Sequence, residues 1–308
     1  MKYSKKAVSV IGKLLMLASL AFVVRQVMRH DADFSMLASP FVVIGLLATA
    51  LAFGFGIAFA GLNFRWLIGD ITGTSIRRSL VIRVYCASNL YKYLPGSVMY
   101  LIGRNRIAFE TKEVSHGQIA IATAVEGFLM LLSAIIIIAL SVSDEAIYFM
   151  RQVTIPLFVW MIAVAVVLIC VLLAVIFRSR LRIWSKKFSD NMKNFSFAAR
   201  AKRFGTCLLI LLFLGVTYLI TLMLLGQQIT LDMVPTIIGL YLLAWAAGFL
   251  TPGASGGMGV RELVLYMFLG NYLSTAIVLS SAIMHRLVSI AGDVLAYGIS
   301  LAYSKIKK

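Results

Sequence analysis

The sequence predicts an all-α polytopic membrane protein, a single integral-membrane domain over 1–308, with six spans plus two re-entrant Pro-Gly hairpins in inverted-topology repeats. Three observations predict it. The first is composition: of 308 residues, 61% are apolar and only 13% charged, against about 45–50% and about 25% in soluble domains. A water-soluble fold is excluded. Disorder is excluded by the same hydrophobicity, and the scattered Cys86, Cys170 and Cys207 cannot form a disulfide framework. The second is a series of apolar runs near the roughly 20 residues that cross a bilayer. The third is how the cations sort between those runs.

The uninterrupted runs are 7–24, 40–62, 117–142, 154–177 and 204–226. The first follows Lys5 and Lys6 as a signal peptide would, but no small-residue cleavage site appears, so it reads as an uncleaved anchor. Two further regions are apolar but broken: 79–103 by Pro95-Gly96, and 234–303 by Pro252-Gly253 and the glycines after it. If 79–103 enters and leaves on the cytoplasmic side, 23 of the 29 Lys and Arg lie inside, Arg104 and Arg203 among them. Only Arg25, Arg29 and Arg151 then lie outside. A crossing at 79–103 would turn the cation-rich loop 178–203 outward, against the positive-inside bias. The net charge of +17 is therefore mainly topological. Loop 178–203, with Trp184, Phe188, Phe195 and Phe197 among its cations, reads as an amphipathic segment on anionic lipid. Nucleic acid is not expected as a partner. Both termini fall on the cytoplasmic side.

Region 234–303 admits two solutions. One is a hairpin over 235–269 followed by a long span over 272–303; the alternative is three spans, 234–250, 263–282 and 287–303, giving eight transmembrane helices. Symmetry favours the first. The order span, Pro-Gly hairpin, span then occurs in 40–142 and again in 204–303, with opposite entry sides. Inverted repeats with broken helices are a recurring transporter plan, and the substrate sits where the breaks meet.

A broken helix at membrane depth survives only inside protein or against a polar cavity, because its backbone groups need partners. Pro95, Gly96, Pro252, Gly253, Gly256 and Gly257 would supply the breaks and the backbone donors. They do not form a nucleotide-binding loop, since the Gly-Lys-Ser/Thr ending is missing. The glycines also suit tight helix packing. Ionisable residues at depth cost roughly 2.5–3.5 kcal/mol each and mark pathways or pairs. Here they are Lys92, Glu126, Arg261, Glu262, His285, Arg286 and Asp293. Structural readings stand beside functional ones: Arg286 and Asp293, at i and i+7, could pair, Arg261 and Glu262 could be an interfacial pair, and Lys92 could snorkel to the surface. Glu126, with no charged neighbour in its span, is expected to face a cavity. His30 and His116 are placed in loops. No catalytic motif, metal cluster or cofactor signature is present.

Asn89-Leu90-Tyr91-Lys92-Tyr93-Leu94-Pro95-Gly96, then Gly103-Arg104, Glu126, and Pro252-Gly253 through Gly256-Gly257-Met258-Gly259-Val260-Arg261-Glu262 resemble the lysylphosphatidylglycerol synthase transmembrane family. The resemblance covers most of the chain. It implies a flippase-like, lipid-translocating domain in the inner membrane of a prokaryote. No soluble segment follows Lys308, so the aminoacyl-transferase activity of two-part members is not expected. The implied substrate is an anionic-phosphate lipid: an aminoacylated or other phospholipid, or a polyprenyl-phosphate-linked sugar. Lys92, Arg104, Arg261 and Arg286 would contact or attract its phosphate. Glu126, Glu262 and Asp293 would balance those cations, receive a cationic substituent or exchange a proton. Membrane lipids are the expected partners; a homo-oligomer and enzymes of lipid or glycan synthesis are open. The alternatives are an integral-membrane headgroup transferase and a non-transporting scaffold.

Overall fold

A computed structural model describes residues 39–93, 99–141, 195–251 and 255–306. The expected spans 7–24 and 154–177, and the basic loop up to residue 194, lie outside the described residues. So do Pro95, Gly96, Pro252 and Gly253. Among the described residues every regular element is helical: α1 Pro40–Thr72, α2 Arg78–Leu90, α3 Met99–Arg104, α4 Arg106–Thr111, α5 His116–Ser141, α6 Phe197–Leu224, α7 Met233–Leu250, α8 Val260–Leu269 and α9 Thr275–Ile306. A 3₁₀ turn, Tyr91–Tyr93, ends α2, and another, Ser255–Gly257, precedes α8.

Local chemistry sets several of these boundaries. Pro40 opens α1, where its missing N–H is no loss, and Gly73 closes it at φ +71°, a left-handed cap that glycine adopts without strain. The Ser196 hydroxyl accepts the Ala199 N–H at 3.2 Å and starts α6. Gly259, at φ +83°, starts α8, and its N–H donates to the Glu262 carboxylate at 2.7 Å. The start of α8 is therefore capped from within its own first turn.

α1, α5, α6, α7 and α9 are each long and apolar enough to cross a membrane, so the chain is a multi-pass membrane protein. Its outer faces agree: Phe41 is 76% and Leu140 82% exposed, as lipid-facing side chains would be. α8, with 10 residues, is about 15 Å long and reaches only about half of the hydrocarbon core. α9 is continuous for 32 residues, which corrects the three-span solution. Segments 263–282 and 287–303 are not separate helices, and His285 and Arg286 lie inside α9 rather than in a turn. His116, expected in a loop, is the first residue of α5 and packs its ring edge-on against Phe109 at 4.4 Å.

α1 and α6 run antiparallel along their whole contact. Leu224 packs on Gly45 and Phe213 on Gly56, Asn63 donates to the Cys207 sulfur, and Arg203 reaches both Asn63 and Asp70. Residue numbers fall along one helix as they rise along the other. α9 crosses α1 at Gly54 and Gly292, backbone against backbone: a Cβ on Gly54 would lie 2.6 Å from the Gly292 carbonyl oxygen. Small residues permit that approach where lipid supplies no hydrophobic force between helices. Arg203, counted by sequence among the loop cations, is instead buried at this seam, pairing with Asp70 at 2.9 Å and stacking over Trp66. α1 to α5 and α6 to α9 each begin and end on a long helix, with shorter helices between.

Candidate functional site

The two 3₁₀ turns meet in the interior, where the Tyr93 ring comes within 3.5 Å of a Cβ built on Gly256. Beside them lies a cavity of about 190 Å³, reached by residues of α1 to α3 and α5 to α9. Its walls carry Lys92, Arg104, Glu126, Arg261, Glu262 and Arg286, so six of the seven charged residues expected at the site gather in one space. Asp293, the seventh, is held behind Lys92.

The charges are paired, though not as sequence proximity suggested. Glu126 on α5 binds Arg104 at the end of α3 and accepts the Tyr85 hydroxyl at 2.9 Å. The Arg104 guanidinium lies over the rings of Tyr85, Phe64 and Tyr100, at 4.4, 4.8 and 5.6 Å from their centroids. Arg104 is 5% exposed and Glu126 4%, which makes them a buried ion pair in an aromatic box. Arg104 therefore leaves the tally of loop cations. In the second half the order of charge is reversed. Glu262 comes from the short helix α8, and Arg286 from the long helix α9. Arg286 also donates to the Gly256 carbonyl at 3.2 Å, tying α9 to the second break.

The expected Arg286–Asp293 pair does not form. The seven-residue spacing does put both on the inner side of α9, but Asp293 takes Lys92 at 2.7 Å and the Tyr93 hydroxyl at 2.6 Å. Lys92 therefore does not snorkel; it joins the first break to the last helix. Asp293 is fully buried, and its second oxygen has no hydrogen-bond partner among the described residues. Arg261 and Glu262 do not pair either, because Glu262 is occupied by Arg286 and the Gly259 N–H.

Arg261 is thus the cavity cation that no described carboxylate neutralises. Its side chain is wedged between two glycines: a Cβ on Gly248 or on Gly257 would lie 2.9 Å from its Nε. That Nε is buried and has no hydrogen-bond partner among the described residues. Gly257 is also at φ +74°, so both conformation and space require glycine there.

His285 is built into the wall. The Thr221 hydroxyl gives its proton to the Thr217 carbonyl at 2.8 Å and so accepts from His285 Nδ1 at 3.2 Å, while the Tyr241 hydroxyl donates to Nε2 at 3.0 Å. A neutral imidazole protonated on Nδ1 satisfies both nitrogens in this arrangement. Tyr85 and Tyr241 escaped the sequence reading, and Tyr93 entered it only within a motif, with no role of its own. They were findable, because a tyrosine within an apolar segment needs a partner for its hydroxyl. On the α5–α7 side the wall is apolar, with Trp245 and Phe249 stacked at 5.3 Å and Met130 beside them.

No protein-family model matches the chain, and no curated protein matches it. Chemically, the cavity offers fixed charges, one of them unspent, beside an apolar wall. Such a space suits an amphiphile with an anionic end.

Proposed function

We propose that the chain moves an anionic-phosphate lipid between the leaflets of a prokaryotic inner membrane, as a member of the lysylphosphatidylglycerol synthase transmembrane family. The observation that carries the reading is the cavity at the meeting of the two breaks, with three acid–base pairs and one further cation in and beside it. Buried charge of this density has a cost in a membrane and is retained where polar groups must pass. The headgroup would occupy the charged end, and the tails would leave along Trp245 and Phe249.

In this reading α2–α3 and α7–α8 are re-entrant hairpins, 40–142 and 204–303 are inverted repeats, and six spans complete the fold with both termini cytoplasmic. The antiparallel contact of α1 and α6, the first helices of the two halves, supports it, as does the tip-to-tip meeting of the breaks. Two binding half-sites related in this way can be opened alternately to either face. Transport would be passive or coupled to a gradient.

The test is lipid scrambling in vesicles of phosphatidylcholine and phosphatidylglycerol, with fluorescent lipid in both leaflets and an impermeant quencher outside. Protein-free vesicles lose about half of the signal, whereas vesicles holding the protein should lose nearly all of it. Arg286→Ala, checked by gel filtration to be folded, should slow the second phase. Identical traces with and without protein would end the proposal.

A further inference from the structure

We propose that the cavity selects a lipid bearing one negative charge, a phosphodiester monoanion, and rejects lipids with a cationic headgroup substituent, with Arg261 binding the phosphate. The inference rests on a lipid occupying the cavity and narrows which lipid it is.

The argument is a charge inventory. Lys92, Arg104 and Arg286 each hold a carboxylate, those of Asp293, Glu126 and Glu262. His285 meets two hydroxyls, Thr221 and Tyr241, and no carboxylate, and as a neutral imidazole it satisfies both nitrogens. The segments 94–98 and 252–254 contain no ionisable side chain. The described cavity therefore carries a net charge of one, on Arg261.

Arg261 is half-buried with its Nε enclosed; a cation so placed without a counter-ion is costly, and an incoming monoanion removes that cost. A phosphodiester does so with matching geometry, because a guanidinium presents parallel N–H donors to two phosphate oxygens. A zwitterionic headgroup adds no net charge. Lysylphosphatidylglycerol, whose amines outnumber its single phosphate, brings further positive charge into a space where charges are weakly screened. Gly248 and Gly257 leave the guanidinium a bare channel, so its position is set by backbone rather than by flexible neighbours.

Native mass spectrometry of the full chain in detergent reads this directly. The probes are phosphatidylglycerol, phosphatidylcholine and lysylphosphatidylglycerol at equal concentration, with glycerophosphoglycerol as the same phosphodiester without tails. Wild type should retain phosphatidylglycerol about tenfold or more over the other two lipids, as one charge-assisted contact provides. Arg261→Gln should abolish the preference, while Arg83→Gln, at an exposed pair with Glu110, should keep it. Equal retention of the three lipids by wild type, or retention of lysylphosphatidylglycerol first, overturns the proposal even where Arg261→Gln fails to fold. Displacement by equimolar glycerophosphoglycerol overturns its lipid half. Selective retention without scrambling in vesicles refutes the transport reading and leaves the charge selection standing.

Discussion

Replacing Arg104 by Gln asks whether the aromatic-box ion pair behaves as one unit. In the native protein the Glu126 carboxylate accepts from both Arg104 and the Tyr85 hydroxyl. Arg104→Gln leaves that carboxylate buried with neutral partners, and Glu126→Gln leaves the guanidinium buried among three rings. Breaking a buried pair from one side costs about 3–5 kcal/mol. Replacing both partners by apolar residues of similar volume is often nearly neutral, because no orphan charge remains. The double variant Arg104→Met with Glu126→Leu should therefore be more stable than either single variant. Thermal unfolding in detergent is the assay. At about 2–4 °C per kcal/mol for a domain of 150–250 residues, each single change should lower the midpoint by at least about 6 °C. The double variant should stay within a few degrees of wild type. Additive losses, with the double variant falling by the sum of the singles, would refute the coupling. Glu126→Ala should likewise lose stability, and with it any transport the cavity supports.

Gly54→Ala places a methyl group 2.6 Å from the Gly292 carbonyl oxygen, a backbone atom that cannot rotate away. Forcing α1 and α9 apart should cost about 1–3 kcal/mol, read as a lowered unfolding midpoint, whereas Gly205→Ala, which meets nothing within 4 Å, should leave it unchanged or raise it. Cys86 and Cys207 are fully buried, so in a Cys170→Ser background N-ethylmaleimide should add no mass to the folded protein and two adducts after unfolding.

The long helices were legible because a run of 18 or more apolar residues has few other uses, and Glu126 stood out because its run offers no charge to pair with. The spacing of Arg286 and Asp293 was also informative, since a continuous α9 does bring both to the same inner side. Their partners were not legible. Lys92 meets Asp293 across the whole length of both halves, and such a meeting is decided by how α2 packs on α9, not by any local pattern. Arg104 was misplaced for a related reason. After Gly103 the chain reads as having left the membrane, whereas the short helix α3 instead carries Arg104 to Glu126 on α5. Arg203 was lost the same way, because its acceptor Asp70 lies at the far end of the antiparallel α1. Counting cations by segment does not tell which of them are buried.

The pairing of three cavity cations has an electrical consequence. Each of these pairs is neutral, so a helix movement that carries both partners together transfers no net charge through the transmembrane potential. Arg261 is different. A unit charge crossing the full field exchanges about 2.3 kcal/mol per 100 mV. In the proposed transport, a monoanion bound at Arg261 would cancel that coupling, so that voltage would act on the empty cavity alone and the unloaded return would be the half of the cycle that a membrane potential speeds or slows.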